Sequence, residues 1–395
     1  MTAEITPFRV AIPQADVDGL RTRLAETRWP AELPEIGWER GVPVGYLKEL
    51  VEYWAGEYDW RGAEAELNSF PQFTTDVDGQ TIHFLHIRSS EPDATPLLMS
   101  HGWPSSPVEF AKVVGPLTEP RVHGGGGPAF HLVIPSLPGF GFSTPMATTG
   151  WGDLGRVAGA YLELMSRLGY ERFAVHGGDI GAGVTAMLAM LGGDRVTATH
   201  VNGPTPFPLG ADIDTDALSG QDKVRAERFN EFKRDGSGYL HIQSSRPQTL
   251  AYSLNDSPVG QLAWIVEKFA EWTDPAKALP EQAVDRDQLL TLVSVYWFTG
   301  SGASAAHFTY EGMQVFRRLA ESGELPADGE APAGPPQGVA VYAADNSIRS
   351  LVDPQGAVDS WTEYDTGGHF PAMETPGVMV DELRSFFGSV GTIGT

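Results

Sequence analysis

The stretch FAVHGGDIGAGV, Phe173 to Val184, decides how this 395-residue chain is read. Phe173 to His176 is a short, mostly apolar run of the kind a buried parallel strand carries. Gly177 and Gly178 follow, then Asp179, Ile180, Gly181 and Ala182. A helical pattern continues through Val184, Met187, Leu188 and Leu191. Strand, sharp glycine-flanked turn and helix make the layout of a nucleophile elbow, where small residues let a reactive side chain stand on a strained turn above a sheet. The tip is Asp179. Two blander readings compete. Asp before a helix is a good N-cap, because its oxygens satisfy free N–H groups. Gly178, Gly181 and Gly183 also resemble a dinucleotide glycine motif, but their spacing is the reverse of G-x-G-x-x-G, which removes that reading.

A carboxylate at the tip selects the chemistry. Attack by Asp179 on an sp3 carbon forms an alkyl ester, which water can cleave at the carboxyl carbon of Asp179 itself. A serine in that place would form an ether that the same machinery could not hydrolyse. The elbow therefore points to displacement at an epoxide or a carbon–halogen bond.

Composition bounds the rest. The length suits one large core with an insertion. A formal charge of −24 argues against nucleic acid and anionic membrane as partners. Cysteine is absent, which removes disulfides and thiolate chemistry and fits a cytoplasmic protein. The first residues, Met1 to Pro7, carry no basic-then-apolar leader, and no run approaches the ~20 apolar residues of a membrane span. Arg outnumbers Lys, and Ala, Gly and Pro are abundant, as in a high-GC bacterium.

Outward from the elbow, residues 1–92 read as an N-terminal section. Val17, Leu20 and Leu24 form one helical stripe, and Leu47, Leu50, Val51 and Trp54 another. Phe73–Val77 and Thr81–Ile87 flank Asp78-Gly79, a hairpin signal. His83 and His86 face opposite sides of that strand and share no metal. Residues 93–202 and 335–395 read as the core. Leu97–Met99, Phe130–Ile134, the elbow strand, Thr197–Val201, Val339–Tyr342 and Trp361–Tyr364 alternate with helices, which implies an α/β fold with a mostly parallel sheet covered on both faces. Residues 203–334 contain helical patterns only and read as an inserted cap, with Pro326 to Gln337 as a return linker.

Strand ends of such a sheet carry the chemistry. Asp179 ends one strand, Asp345 follows another, and His369 follows the last, in the order nucleophile, acid, histidine of the α/β-hydrolase fold. His369 is the expected general base for the hydrolytic water, and Asp345 is expected to orient it. Asp353, Asp359 and Asp365 are rivals for the acid. Backbone N–H groups of Trp103, in His101-Gly102-Trp103-Pro104, and of Ile180 are the expected oxyanion donors. Trp103, Phe140 and Phe142 are expected to wall the substrate pocket. Two cap tyrosines, Tyr239 and Tyr310, could polarise an epoxide oxygen, but on sequence physics alone the packed aromatic with a wet hydroxyl is the stronger reading of either.

The blocks HGWPSSPVEF, PSLPGFGFS, VHGGDIGAGV, SGYLHIQSSRPQTLAYSLNDSPVG, HFTYEG and TGGHFPAMETP, in that order, resemble the microsomal-type epoxide hydrolases. The N-terminal section, with FPQFTTDVDGQTIHFLHI, resembles their N-terminal domain. The resemblance covers nearly the whole chain. It implies a soluble bacterial member that converts an epoxide to a vicinal diol without cofactor or metal. It implies Asp179 as nucleophile, Asp345 and His369 as charge-relay pair, and Tyr239 and Tyr310 as ligands of the epoxide oxygen. Thr309 stands where relatives often carry an aromatic residue, a change in pocket shape that leaves the phenol of Tyr310.

The nearest rival is a haloalkane dehalogenase, but Ile180 stands where that chemistry often places a halide-binding Trp. A non-catalytic ligand-binding homologue is the rival from another class. Still open are the epoxide itself, with a bulky aryl or polycyclic one in antibiotic biosynthesis set against detoxification, and the choice between monomer and homodimer.

Overall fold

A computed structural model describes residues 4–204, 211–322 and 334–390. The part of the expected linker from 326 to 333 lies outside the described residues. Nine strands form one sheet: β1 (Thr6–Phe8), β2 (Gln72–Val77), β3 (Gln80–Ile87), β4 (Thr95–Ser100), β5 (Phe130–Pro135), β6 (Phe173–Gly178), β7 (Val196–Asn202), β8 (Gln337–Val341) and β9 (Ser360–Glu363). Their order is β1-β2-β3-β5-β4-β6-β7-β8-β9. The neighbours from β1 to β5 pair antiparallel, and those from β5 to β9 pair parallel. The hairpin of the N-terminal section thus continues the same sheet, with β3 beside β5. Asp78 at its turn has φ 51°, the conformation that a two-residue hairpin loop requires.

Period-2 alternation explains why the sheet is covered twice. Leu98, Val133, Phe173 and Val175 face one core, shared with the helices Leu154–Arg167 and Ile180–Gly192. Leu97, Met99, Leu132, Ile134 and Ala174 face the other, shared with the helices Ala111–Thr118 and Pro376–Ser389. Such strands, apolar on both sides, are the signature of a buried parallel sheet. The expected stripe on the elbow helix holds at Val184 and Leu188. It fails at Leu191, which is exposed at the helix end.

Between 211 and 322 every regular element described is a helix. This cap rests partly on the N-terminal section. Trp54 Nε1–H donates to Ser294 Oγ at 3.0 Å, Tyr58 and Thr291 hydroxyls meet at 2.9 Å, and Tyr46 OH donates to Glu281 at 2.8 Å. The stripe of Leu47, Leu50, Val51 and Trp54 therefore supports the helix Arg286–Thr299, which runs behind the loop after β4. No helix among the described residues is long and apolar enough to cross a membrane.

Candidate active site

Asp179 closes β6 and opens the helix Ile180–Gly192 at φ 53° and ψ −124°. A non-glycine residue there carries strain of roughly 1–3 kcal/mol, which persists only where its surroundings enforce it. They do so by close approach. A Cβ at Gly181 would stand 2.1 Å from the Ser100 carbonyl oxygen, so the helix start is pressed against the end of β4. Asp179 is the N-cap by position, yet its side chain accepts from none of the helix N–H groups. Its Oδ1 instead accepts the Trp103 N–H at 2.9 Å, and its Oδ2 lies 3.6 Å from His369 Nε2. The Ile180 N–H makes no hydrogen bond to this carboxylate in the structure.

The loop that supplies Trp103 is braced from behind. His101 Nε2 accepts the Leu137 N–H at 3.1 Å. Burial lowers the His101 pKa to about 4, so the ring stays neutral and keeps that lone pair. Ser105 OH donates to Glu109 at 2.5 Å, and Tyr296 OH donates to the Ser105 carbonyl at 2.9 Å. Burial raises the Glu109 carboxyl to about 7, partly offset by the Ser105 hydroxyl.

His369 sits on the loop after β9. Its amide donates to the Trp272 carbonyl at 2.8 Å, and its ring lies 5.0 Å from the Trp272 ring. Two carboxylates clamp the same loop. Asp274 accepts the Gly367 N–H at 3.0 Å, while Glu374 accepts the Phe370 and Asp274 N–H groups at 3.0 and 2.8 Å. Burial pushes the His369 imidazole below its ordinary value, and the Asp179 carboxylate opposes that shift. A neutral imidazole in that position can take a proton from water.

Asp345 is buried just after β8. Its loop and the His369 loop are joined by Ala343 N–H to Thr366 O and Ala344 N–H to Gly367 O. Its Oδ2 accepts the Tyr342 N–H at 2.7 Å, and no hydrogen bond or ion pair joins it to His369 among the described residues. Burial raises its pKa to about 7, offset in part by the Tyr342 N–H, Arg225 and Arg228. Of its rivals, Asp353 accepts the Ala357 N–H, Asp359 accepts the Gln337 N–H, and Asp365 is exposed. The first is occupied by its own turn, and the second by the start of the neighbouring strand β8.

Tyr239, on the short helix Gly238–Gln243, stacks on Trp103 with ring centres 4.8 Å apart and planes within 8°. Trp272 meets both rings edge-on, at 5.4 Å from Tyr239 and 6.0 Å from Trp103. Burial first, then Asp179 and Glu271, hold the Tyr239 phenol well above its usual pKa, so it stays protonated. Tyr310 is partly buried on the helix Ser301–Ser322, which packs against the Tyr239 helix. No hydrogen bond or ring contact joins Tyr310 to Tyr239 or Asp179 among the described residues.

The structure thus brings Asp179, Trp103, His369 and Tyr239 together. Phe140 is fully buried under them, against His101, Tyr296 and Phe308. The expected place of Phe142 in the pocket wall needs correction. Its ring packs on Phe8 and His83 at the junction with the N-terminal strands, because the turn after Gly141 carries it to the β3 side. His83 and His86 take separate partners, Ser136 with Gln72 and Tyr170. Trp272, Asp274, Glu374 and Glu109 escaped the sequence reading. The only available signal was that Glu109 and Glu374 lie inside the blocks HGWPSSPVEF and TGGHFPAMETP.

Residues 5–110 match the family model described as epoxide hydrolase N terminus, and residues 95–246 match the alpha/beta hydrolase fold. The chain is 43% identical over 387 residues to a Stigmatella aurantiaca protein named "Putative epoxide hydrolase", covering 97% of this chain and 84% of that one. It superimposes on the structure of Aspergillus niger epoxide hydrolase with TM-score 0.82 and 32% identity, covering 98% of this chain and 97% of that one. The juvenile hormone epoxide hydrolase of Bombyx mori gives TM-score 0.86 and 27% identity, covering 98% and 95%. An elbow tipped with Asp, a helical cap and these relatives lead to one conclusion: the chain belongs to the epoxide hydrolase family of the α/β-hydrolase fold and is an enzyme of that type.

Proposed function

We propose that this enzyme opens an epoxide to a vicinal diol in two steps through an ester on Asp179. In the first, Asp179 Oδ2 attacks one epoxide carbon, the C–O bond breaks, and the epoxide oxygen takes a proton from the Tyr239 or Tyr310 phenol. In the second, His369 takes a proton from water, which adds to the Asp179 carboxyl carbon. The oxyanion is then met by the Trp103 N–H; on collapse the ester C–O bond breaks, the His369 imidazolium gives its proton to the departing alkoxide, and the diol is released. Asp345 is the acid assigned to His369. Two backbone hydrogen bonds between their loops support that assignment.

One observation carries this reading. The carboxylate of Asp179 is held on a strained turn between one N–H donor and one imidazole, rather than spent on capping its helix. The rings of Trp103, Tyr239 and Trp272 beside it favour an aryl epoxide as substrate. The test is one catalytic cycle on styrene oxide in oxygen-18 water with enzyme in excess. The label is expected in the peptide that contains Asp179, because water attacks the enzyme's own carboxyl carbon. Label found in the glycol alone would overturn the ester route.

A further inference from the structure

Lys268 lies on the cap helix Pro258–Trp272 and is 2% exposed. A buried ammonium is costly unless it is paired. Here Nζ lies 2.6 Å from Glu267 Oε1 and 2.7 Å from Glu271 Oε2. Both carboxylates reach toward solvent, so an ion network on the surface of the cap would have served stability as well. Burial instead brings the ammonium 4.9 Å from the centre of the Tyr239 ring and 5.7 Å from that of Trp272. Those two rings pack with Trp103 and His369, so the cation stands behind the whole aromatic wall of the site.

Tyr239 needs such a partner. Burial, the Asp179 carboxylate and Glu271 all resist negative charge on its oxygen. In the proposed first step a bond forms from Asp179 Oδ2 to the epoxide carbon. The carbon–oxygen bond breaks with its electron pair going to the epoxide oxygen. The phenolic proton moves to that oxygen, and the phenolate left on Tyr239 recovers a proton from solvent before the next turnover. The charge passing through the phenol spreads into the ring, where a desolvated cation over its face stabilises it.

We propose that Lys268 is a positioning residue for Tyr239, holding the phenol against Trp103 and Trp272 and stabilising the charge that reaches it as the epoxide opens. This rests on the assignment of Asp179 as nucleophile and Tyr239 as a donor to the epoxide oxygen. Neither Glu267 nor Glu271 can substitute, since both carry the sign that hinders the step.

The experiment follows ester accumulation on the full-length enzyme by intact mass, in a His369→Gln background with styrene oxide. Lys268→Met is expected to slow ester formation about 30-fold, the rate equivalent of a desolvated cation–π contact. Lys268→Arg should stay within about fivefold, because the cation is kept. Added to Tyr239→Phe, Lys268→Met should cost less than about threefold, an effect that loss of structure alone would not produce. Equal loss with and without Tyr239, or no loss in either, overturns the proposal. Should Lys268→Met fail to fold, Glu271→Gln decides. It removes a negative charge facing the phenol and should speed ester formation about twofold or more, whereas slower formation contradicts the assignment. Absence of any ester in the His369→Gln parent would instead sink the Asp179 mechanism and leaves a distinct signature.

Discussion

Trp272 and His369 touch twice: the Trp272 carbonyl accepts the His369 N–H at 2.8 Å, and their rings lie 5.0 Å apart. A residue at the end of a cap helix thereby sets the position of the histidine on a core loop. The approach is so close that a Cβ at Gly368 would stand 2.4 Å from the Trp272 carbonyl oxygen and 2.9 Å from Ala344 Cβ. Gly368→Ala must push the loop away from the cap. Ester formation on styrene oxide should survive within about tenfold, while ester hydrolysis should fall by 10²-fold or more, since a displacement of about 1 Å is enough for that. Rapid-quench mass analysis separates the two. Normal hydrolysis in this variant would mean that the contact is not what holds His369.

Asp179→Ala should abolish turnover, and His369→Gln should leave an enzyme that gains the mass of one substrate and keeps it. Asp179→Asn should start inactive and regain activity slowly if the amide deamidates. Intact mass over hours follows all three. A His369→Gln enzyme turning over at the parent rate removes His369 from the mechanism.

Among the described residues, burial raises three carboxyls near the His369 and Trp103 loops to about 7, and two of them compete for the charge-relay role. Asp345 and Glu374 are each raised by burial to about 7. Glu374 is already committed to two backbone N–H groups, so its loss should loosen the loop. Asp345→Asn should therefore slow ester hydrolysis by up to about 10⁴-fold with little change in melting temperature, by analogy with the same change at the acid of a catalytic triad. Glu374→Gln should lower the melting temperature more than it lowers hydrolysis. The reverse pattern would transfer the acid's role to Glu374.

Glu109, the third, gives a pH-dependent signature. Its folded pKa of about 7 lies above the ordinary value of 4.5. Between those values the folded state holds a proton that the unfolded state has released. Its contribution to stability is therefore fully present below the unfolded pKa and is lost as pH rises toward 7. Glu109→Gln keeps an acceptor for the Ser105 hydroxyl and removes the titration. The melting temperature of the variant minus that of the parent should rise by about 3 °C from pH 4.5 to 7.5. Taking the difference cancels the buried histidines, such as His83 and His101, whose lowered pKa values act with the opposite sign. A flat difference would place Glu109 ionised in the fold.

The epoxide hydrolase family and the α/β-hydrolase fold were legible in the residues themselves. Alternation such as Leu97, Leu98, Met99 and the turn chemistry of Gly177 to Gly181 are local codes. A strand's two faces and a helix's stripe are set by neighbours a few positions apart, and tertiary packing has to respect them. The clamps that hold the site were not legible, because they join positions as far apart as Asp274 and Gly367, 93 residues from one another. No periodicity spans such distances. Only closure of the sheet and docking of the cap decided that Trp272 grips the His369 loop and that Phe142 turns to Phe8 and His83. The same docking set a buried lysine beneath Tyr239.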